Sequence, residues 1–370
     1  MKVVQILPEL NAGGVERGTL EVAAHLVRQG HQSIVISNGG RLVPALEASG
    51  ARHVGMPVHR KSLATLLQVR ALRQFLTIER PDILHIRSRA PGWVAWLAWR
   101  GMPAATRPRL VSTVHGFYSV NIYSTIMTRG EMIIAVSESI REYILKNYPE
   151  TPAEKIHVIP RGIKLCDYGA DFQPSEQWLA CWKSKHPSLA DKCVLLLPGR
   201  ITRLKGHEDF FNLIFALKQR GTQVHGLVAG DTHPKKLAYL DELHGLIRSL
   251  DLADDITFLG HRTDIREIMA VCDLICALSQ QPESFGRTVL EAMALGKPVA
   301  GYDCGGVGGL LEHLFPEGRI PLGEPNALLE AAHSIIRRRP SPKVVGEPYT
   351  LETMCSSTQD LYQKLVSSPR

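Results

Sequence analysis

Residues 279–306 read SQQPESFGRTVLEAMALGKPVAGYDCGG, and the residue types in this stretch dictate the local chain path. An apolar run, Ile268 to Leu278, leads into it and ends in the manner of a buried strand. Pro282 and Gly286 then mark a short loop. Val289, Leu290, Met293 and Leu295 give a short apolar helix, closed by Gly296 and Pro298. A second strand, Pro298 to Tyr302, follows at once. The order is strand, loop, helix, strand, with Glu283 in the loop and Glu291 inside the helix. A loop entering a helix N-terminus offers unpaired N–H groups to an anion. Two carboxylates flanking that turn repel a phosphate, but they accept hydrogen bonds from hydroxyls. The ligand that suits both has a phosphate for the N–H groups and sugar hydroxyls for the acids.

Glu283 and Glu291 have seven residues between them, accompanied by Phe285, Gly286, Ala292 and Gly296–Lys297–Pro298. This pattern resembles the E-x7-E segment of the family 4 retaining glycosyltransferases, which have the GT-B fold. In the form PESFGRTVLEAMALGKPV it is most similar to members that build lipopolysaccharide cores and other cell-envelope glycans. The resemblance implies that Phe285 and Gly286 lie at the donor, that Glu291 meets the ribose hydroxyls and that Glu283 meets the donor sugar.

Upstream, the run Cys193 to Leu197 reads as a strand and ends in Pro198–Gly199–Arg200, then Ile201–Thr202–Arg203–Leu204–Lys205–Gly206. Cations just beyond a strand end, with glycine on both sides, make an anion site. Arginine grips two oxygens and lysine supplies a point charge. The segment resembles the family's GRL-x-x-x-KG, where the arginine and lysine neutralise the diphosphate of a nucleotide-sugar. That assigns Arg200 and Lys205 to the leaving group.

Composition bounds the remainder. A chain of 370 residues is too long for one ordinary core and suits two domains. An apolar content of 44% with 21% charged residues is that of a soluble globular protein. No apolar run approaches transmembrane length, and no leader precedes the opening strand Lys2 to Leu7. The seven cysteines are odd in number and lack a C-x-x-C pair, so we read free buried thiols, a reducing compartment and no zinc site. Residues 1–160 hold 19 basic against 11 acidic side chains, and the rest hold 24 against 25. The basic half and the neutral half are therefore expected to meet different partners. No nucleic-acid motif accompanies the dispersed cations, which suit an anionic membrane surface or a phosphorylated acceptor better.

The first half opens with strand, glycine loop and helix. Asn11–Ala12–Gly13–Gly14–Val15–Glu16–Arg17 lacks the spacing of a dinucleotide-binding loop, and no acid closes the next strand, which excludes the dehydrogenase reading. Gly13 and Gly14 still permit close backbone approach to a phosphate. They are similar to the family's GG-x-E-R loop, whose amides face the donor. Pro81 to Ile86 reads as a third strand, and the helix after it carries Trp93, Trp96 and Trp99 one turn apart, either packed on the sheet or facing lipid. The strand Leu110 to Val114 ends in His115, where open α/β sheets bind ligands. TVHGFYS resembles the family's active-site histidine segment, which implies that His115 hydrogen-bonds the transferred sugar. Two positions in and after VIPRGI, a segment similar to VIPNGVD, depart from the family: Arg161 replaces Asn and Lys164 replaces Asp. Gly309 stands where the family commonly has Glu.

The expectation is a GT-B protein of the α/β class, with two facing Rossmann-like domains across a deep interdomain cleft. The domains are 1–165 on the acceptor side and 166–349 on the nucleotide-sugar side, with a helix in 350–370 crossing back to the first. The alternation of strands and helices requires parallel sheets. The expected activity is transfer of a sugar from a nucleotide-sugar to a glycan or lipid-linked acceptor, with retention. Arg200 and Lys205 would stabilise the departing diphosphate without a metal or other cofactor. The expected location is the cytoplasm, peripheral on the inner face of the membrane. A nucleotide-sugar epimerase, a phosphorylase and an inactive nucleotide-sugar-binding subunit remain alternatives.

Overall fold

The computed structural model describes residues 1–11, 13–59, 65, 67–231 and 237–369; Ala12 of the glycine loop lies outside them. The chain divides into two units, Met1–Gly162 with Leu351–Arg370, and Ile163–Thr350.

The first unit is built on seven strands: β1 Lys2–Ile6, β2 Gln32–Ser37, β3 Arg52–Gly55, β4 Ile83–Ile86, β5 Arg109–Val114, β6 Met132–Ala135 and β7 Ile156–Val158. They lie in the order β3-β2-β1-β4-β5-β6-β7, and every pair is parallel. Helices cover both faces of such a sheet, so its central strands are apolar almost throughout. In β4 all four residues are buried. A polar cluster nevertheless crosses the core. His85 hydrogen-bonds the Tyr362 hydroxyl through Nδ1, 2.5 Å away, and Thr113 Oγ1 through Nε2, 2.7 Å away, one ring nitrogen donating and the other accepting. Tyr362 belongs to the helix Leu351–Ser367, whose Met354, Leu361 and Leu365 pack with Val3, Ile83 and Val111.

The second unit has six strands: β8 Cys193–Pro198, β9 Val224–Ala229, β10 Ile256–Gly260, β11 Leu274–Ala277, β12 Val299–Tyr302 and β13 Arg319–Ile320. Their order is β10-β9-β8-β11-β12-β13, again all parallel. Both sheets reverse their winding once, between β1 and β4 and between β8 and β11. Ligands of open α/β sheets bind beyond the strand ends at such a switch point.

Three expectations need correction. The apolar run Ile268 to Leu278 is not one strand. Ile265–Val271 is helical and only Leu274–Ala277 is extended. The break falls at Asp273, whose N–H donates to the Val194 carbonyl and whose Oδ2 accepts from Val194 N at 2.8 Å. The strand Pro81 to Ile86 is fourth in the chain, because β3 precedes it. The cysteines are all free, but Cys166 and Cys181 are exposed, not buried.

Candidate active site

The site in the second unit forms at the switch point. Gly199, just past the end of β8, is held at φ 144°, and a Cβ at Gly230 would fall 1.8 Å from its carbonyl oxygen. The two backbones touch because residue 230 has no side chain, and the left-handed backbone at Gly199 suits glycine. Arg200 follows. It is exposed and makes no hydrogen bond or ion pair with the described residues. A short turn, Arg203–Lys205, then presents Lys205. Gly206 (φ 69°) lies under the Leu278 carbonyl, where a Cβ would come within 2.1 Å.

The loop after β11 is tied to that turn. Gln280 N donates to the Leu204 carbonyl at 2.8 Å. Lys205 Nζ and Ser279 Oγ both donate to Glu283 Oε1. Burial pushes the Glu283 carboxyl up, but the Lys205 charge and the two hydrogen bonds outweigh it and hold its pKa below the usual carboxylate value. A small pocket beside this pair is lined by Pro198, Lys205, Ser279, Glu283, Thr288 and Val289.

The back of the loop rests on a second glycine pair. Gly306 N donates to the Glu283 carbonyl at 2.6 Å. A Cβ at Gly305 would sit 2.4 Å from that oxygen, and one at Gly306 would sit 2.4 Å from Phe285 Cα. Gly286 (φ 91°) then opens the helix Arg287–Ala294. Glu291 is buried in that helix and pairs with Arg287, Nε to Oε1 3.0 Å. Phe285 is 5% exposed, and its ring centroid lies 6.3 Å from that of Tyr349. At Gly309 a Cβ would meet nothing within 4 Å, so the departure from the family pattern leaves open space. Lys164 is exposed.

In the first unit, Gly13 (φ 142°) precedes the helix Gly14–Arg28, and both glycines are exposed. A Cβ at Gly13 would lie 2.6 Å from Glu16 Oε2, whereas Gly14 faces open space. His115 sits just past β5, with Arg161 Nη2 2.7 Å from its Nδ1. The ring is held well below the ordinary histidine pKa, by burial first and then by the charges of Arg161, Arg87 and His85. Among the described residues no group of histidine, cysteine and acidic side chains is arranged to hold a metal.

The structure thus brings Lys205 and Glu283 together and seats Glu291 in the adjoining helix. The sequence reading missed Ser279, Arg287 and the Arg161–His115 contact. Arg287 was findable, since it precedes Glu291 by four residues on one helix face. The others depend on tertiary approach.

Comparison with known proteins gives the class and then the family. A glycosyltransferase from Rickettsia africae ESF-5 is 27% identical, with a TM-score of 0.85 over 100% of this chain and 99% of its own. Anabaena Alr3699/HepE, solved with UDP and glucose, is 23% identical, with a TM-score of 0.80 over the whole of both chains. The fold is GT-B, two Rossmann-like domains in tandem. Residues 12–165 match Glycosyltransferase Family 4 and residues 181–347 match Glycosyl transferases group 1, and the chain belongs to the family 4 glycosyltransferases. Among curated proteins, the lipopolysaccharide core biosynthesis mannosyltransferase LpsB of Rhizobium meliloti is 33% identical over 38% of this chain and 41% of its own. The chain spans about half the length of the curated relatives it matches first.

Proposed function

We propose that the protein transfers a sugar from a nucleotide-sugar donor to a cell-envelope glycan or glycolipid, with retention of configuration and without a metal. The observation that carries this reading is the Lys205–Glu283 pair at the β8/β11 switch point, beside an Arg200 that has no carboxylate partner among the described residues. An ammonium has three donors. One is engaged by Glu283, which leaves two for diphosphate oxygens. As the glycosidic bond breaks, negative charge grows on the diphosphate, and Lys205 and Arg200 stabilise it there. Glu283 accepts hydrogen bonds from the donor sugar and Glu291 from the ribose. The name of LpsB supports an envelope acceptor, and the UDP-bound Anabaena neighbour makes UDP-sugars the first donors to try.

A panel of UDP-, GDP- and ADP-sugars tests this. The true donor should raise the melting temperature, by about 2.7 kcal/mol of stabilisation at a hundredfold excess over Kd. Product NMR should show retained configuration, and a chelator should leave the rate unchanged. No stabilisation by any nucleotide would reject the reading.

We also propose electrostatic docking on an anionic leaflet. No described helix is long and apolar enough to cross a membrane. The three tryptophans are half-buried on the first core, and their outer faces are covered by cations. Arg129 lies over Trp93 and Trp96 at 5.5 and 4.5 Å, and Arg107 over Trp99 at 3.8 Å. Trp93 and Trp99 also spend their N–H groups on the Tyr123 and Pro108 carbonyls. This layering favours surface charge over tryptophan insertion as the source of binding. Each cation near the leaflet contributes about 1 kcal/mol. Sedimentation with anionic vesicles should therefore be strong at low salt and lost at high salt, without a blue shift in tryptophan fluorescence. Equal binding to neutral vesicles would reject docking.

A further inference from the structure

Arg161 stands where asparagine is usual in the resembling family, and its surroundings give it a task. Its Nη2 lies 2.7 Å from His115 Nδ1. A guanidinium donates and cannot accept. Nδ1 must therefore carry the lone pair, and the single ring hydrogen must sit on Nε2. Nε2 is buried and has no hydrogen-bond partner among the described residues. Buried donors in native proteins are ordinarily satisfied, so this N–H awaits an acceptor. Arg161 in turn is seated against the helix Gly14–Arg28 at Gly18, where a Cβ would come 2.2 Å from Nη1 and 3.0 Å from Cζ. Any side chain at position 18 would occupy the guanidinium's place. Gly18, Arg161 and His115 form a series, each placing the next.

We infer that Arg161, seated on Gly18, is a positioning residue that fixes His115 as the Nε2–H tautomer, so that the ring offers a ligand oxygen a hydrogen-bond donor and not a base. Burial and the neighbouring charges act in the same direction by keeping the ring neutral. The group recognised is an oxygen with a free lone pair. The transfer reading above is needed only to make that oxygen a sugar hydroxyl.

The test uses the full chain labelled with 15N. In the wild type, two-bond 1H–15N spectra at neutral pH should show His115 Nδ1 at a pyridine-type shift and Nε2 at a pyrrole-type shift. Gly18→Ala should disturb this pattern toward a mixture of tautomers. Alanine is the better helix former, so the melting temperature should hold or rise. Transfer should slow by roughly ten- to a hundredfold, the loss known for the outer partner of a metal-ligating histidine, which orients its ring in the same way. Arg161→Gln should give the same spectrum and carries the test if Gly18→Ala does not fold. A wild-type hydrogen on Nδ1, or an unchanged tautomer in both variants, would overturn the inference. Loss of rate with an unchanged tautomer would assign Arg161 a purely structural role and overturn it equally. If no donor is ever turned over, the transfer reading fails and the spectra still decide the tautomer.

Discussion

Lys205→Ala should weaken binding of the free nucleoside diphosphate by about 1.5–3 kcal/mol, the worth of a charge-assisted hydrogen bond, or roughly ten- to 150-fold in Kd. Its effect on turnover should be larger, about 10²–10³ in kcat, because the charge that Lys205 meets is greatest in the transition state. The structure adds a second signature. Glu283 loses the cation that offsets its burial, so its carboxyl pKa should climb. In the wild type the lowered pKa makes the pair stabilising above the unfolded carboxyl value, about 4.3, and that contribution disappears as pH falls through the lower folded value. In Lys205→Ala this acid-side loss should vanish from the stability profile. Both side chains are 32% exposed, so solvent screening keeps the stability term small. Calorimetry with UDP decides the main point: unchanged affinity would remove Lys205 from the donor site.

The second large effect separates the two glutamates. Glu291→Gln should weaken the free nucleotide and the nucleotide-sugar alike, by about 1.5–3 kcal/mol if a charged hydrogen bond to the ribose is lost. It should also cost fold stability, since Arg287 keeps its charge at 19% exposure beside a neutral partner. Glu283→Gln should behave differently. It frees Lys205 from its carboxylate, so affinity for the free nucleotide should hold, while turnover falls because the donor sugar loses its acceptor. Titration of both variants with the same nucleotide is the comparison that matters. If they respond alike, the division of labour between sugar and ribose is wrong.

Much of this was legible in the amino-acid order because parallel strands buried on both faces leave nearly unbroken apolar runs. β8 and β11 show this, and Lys205–Gly206 and Glu283 stand just beyond their ends. β3 was not legible: its four residues, RHVG, are half-exposed or exposed and carry no such run. β13 has only two residues. The run Ile268 to Leu278 misled because an apolar stretch does not say whether its period is two or 3.6 when helix and strand abut. The E-x7-E spacing placed both glutamates on one loop and helix. It could not show that Glu283 turns to a lysine 78 residues earlier. Arg161 registered only as a departure. Its contact with His115 spans 46 residues and two strand ends.

The return of the helix Leu351–Ser367 to the first sheet also sets a timetable for synthesis. Residues 1–162 leave the ribosome before the rest, yet the apolar strip formed by Val3, Ile83 and Val111 has only part of its cover, from Val22 and Leu26, until Met354, Tyr362 and Leu365 have been made. His85 waits equally long for the Tyr362 hydroxyl. The second unit is continuous in sequence and can close on itself in the meantime. The usual vectorial order, with the N-terminal domain finished first, is therefore inverted here. The nascent first domain carries a half-covered apolar face through translation of the entire second one.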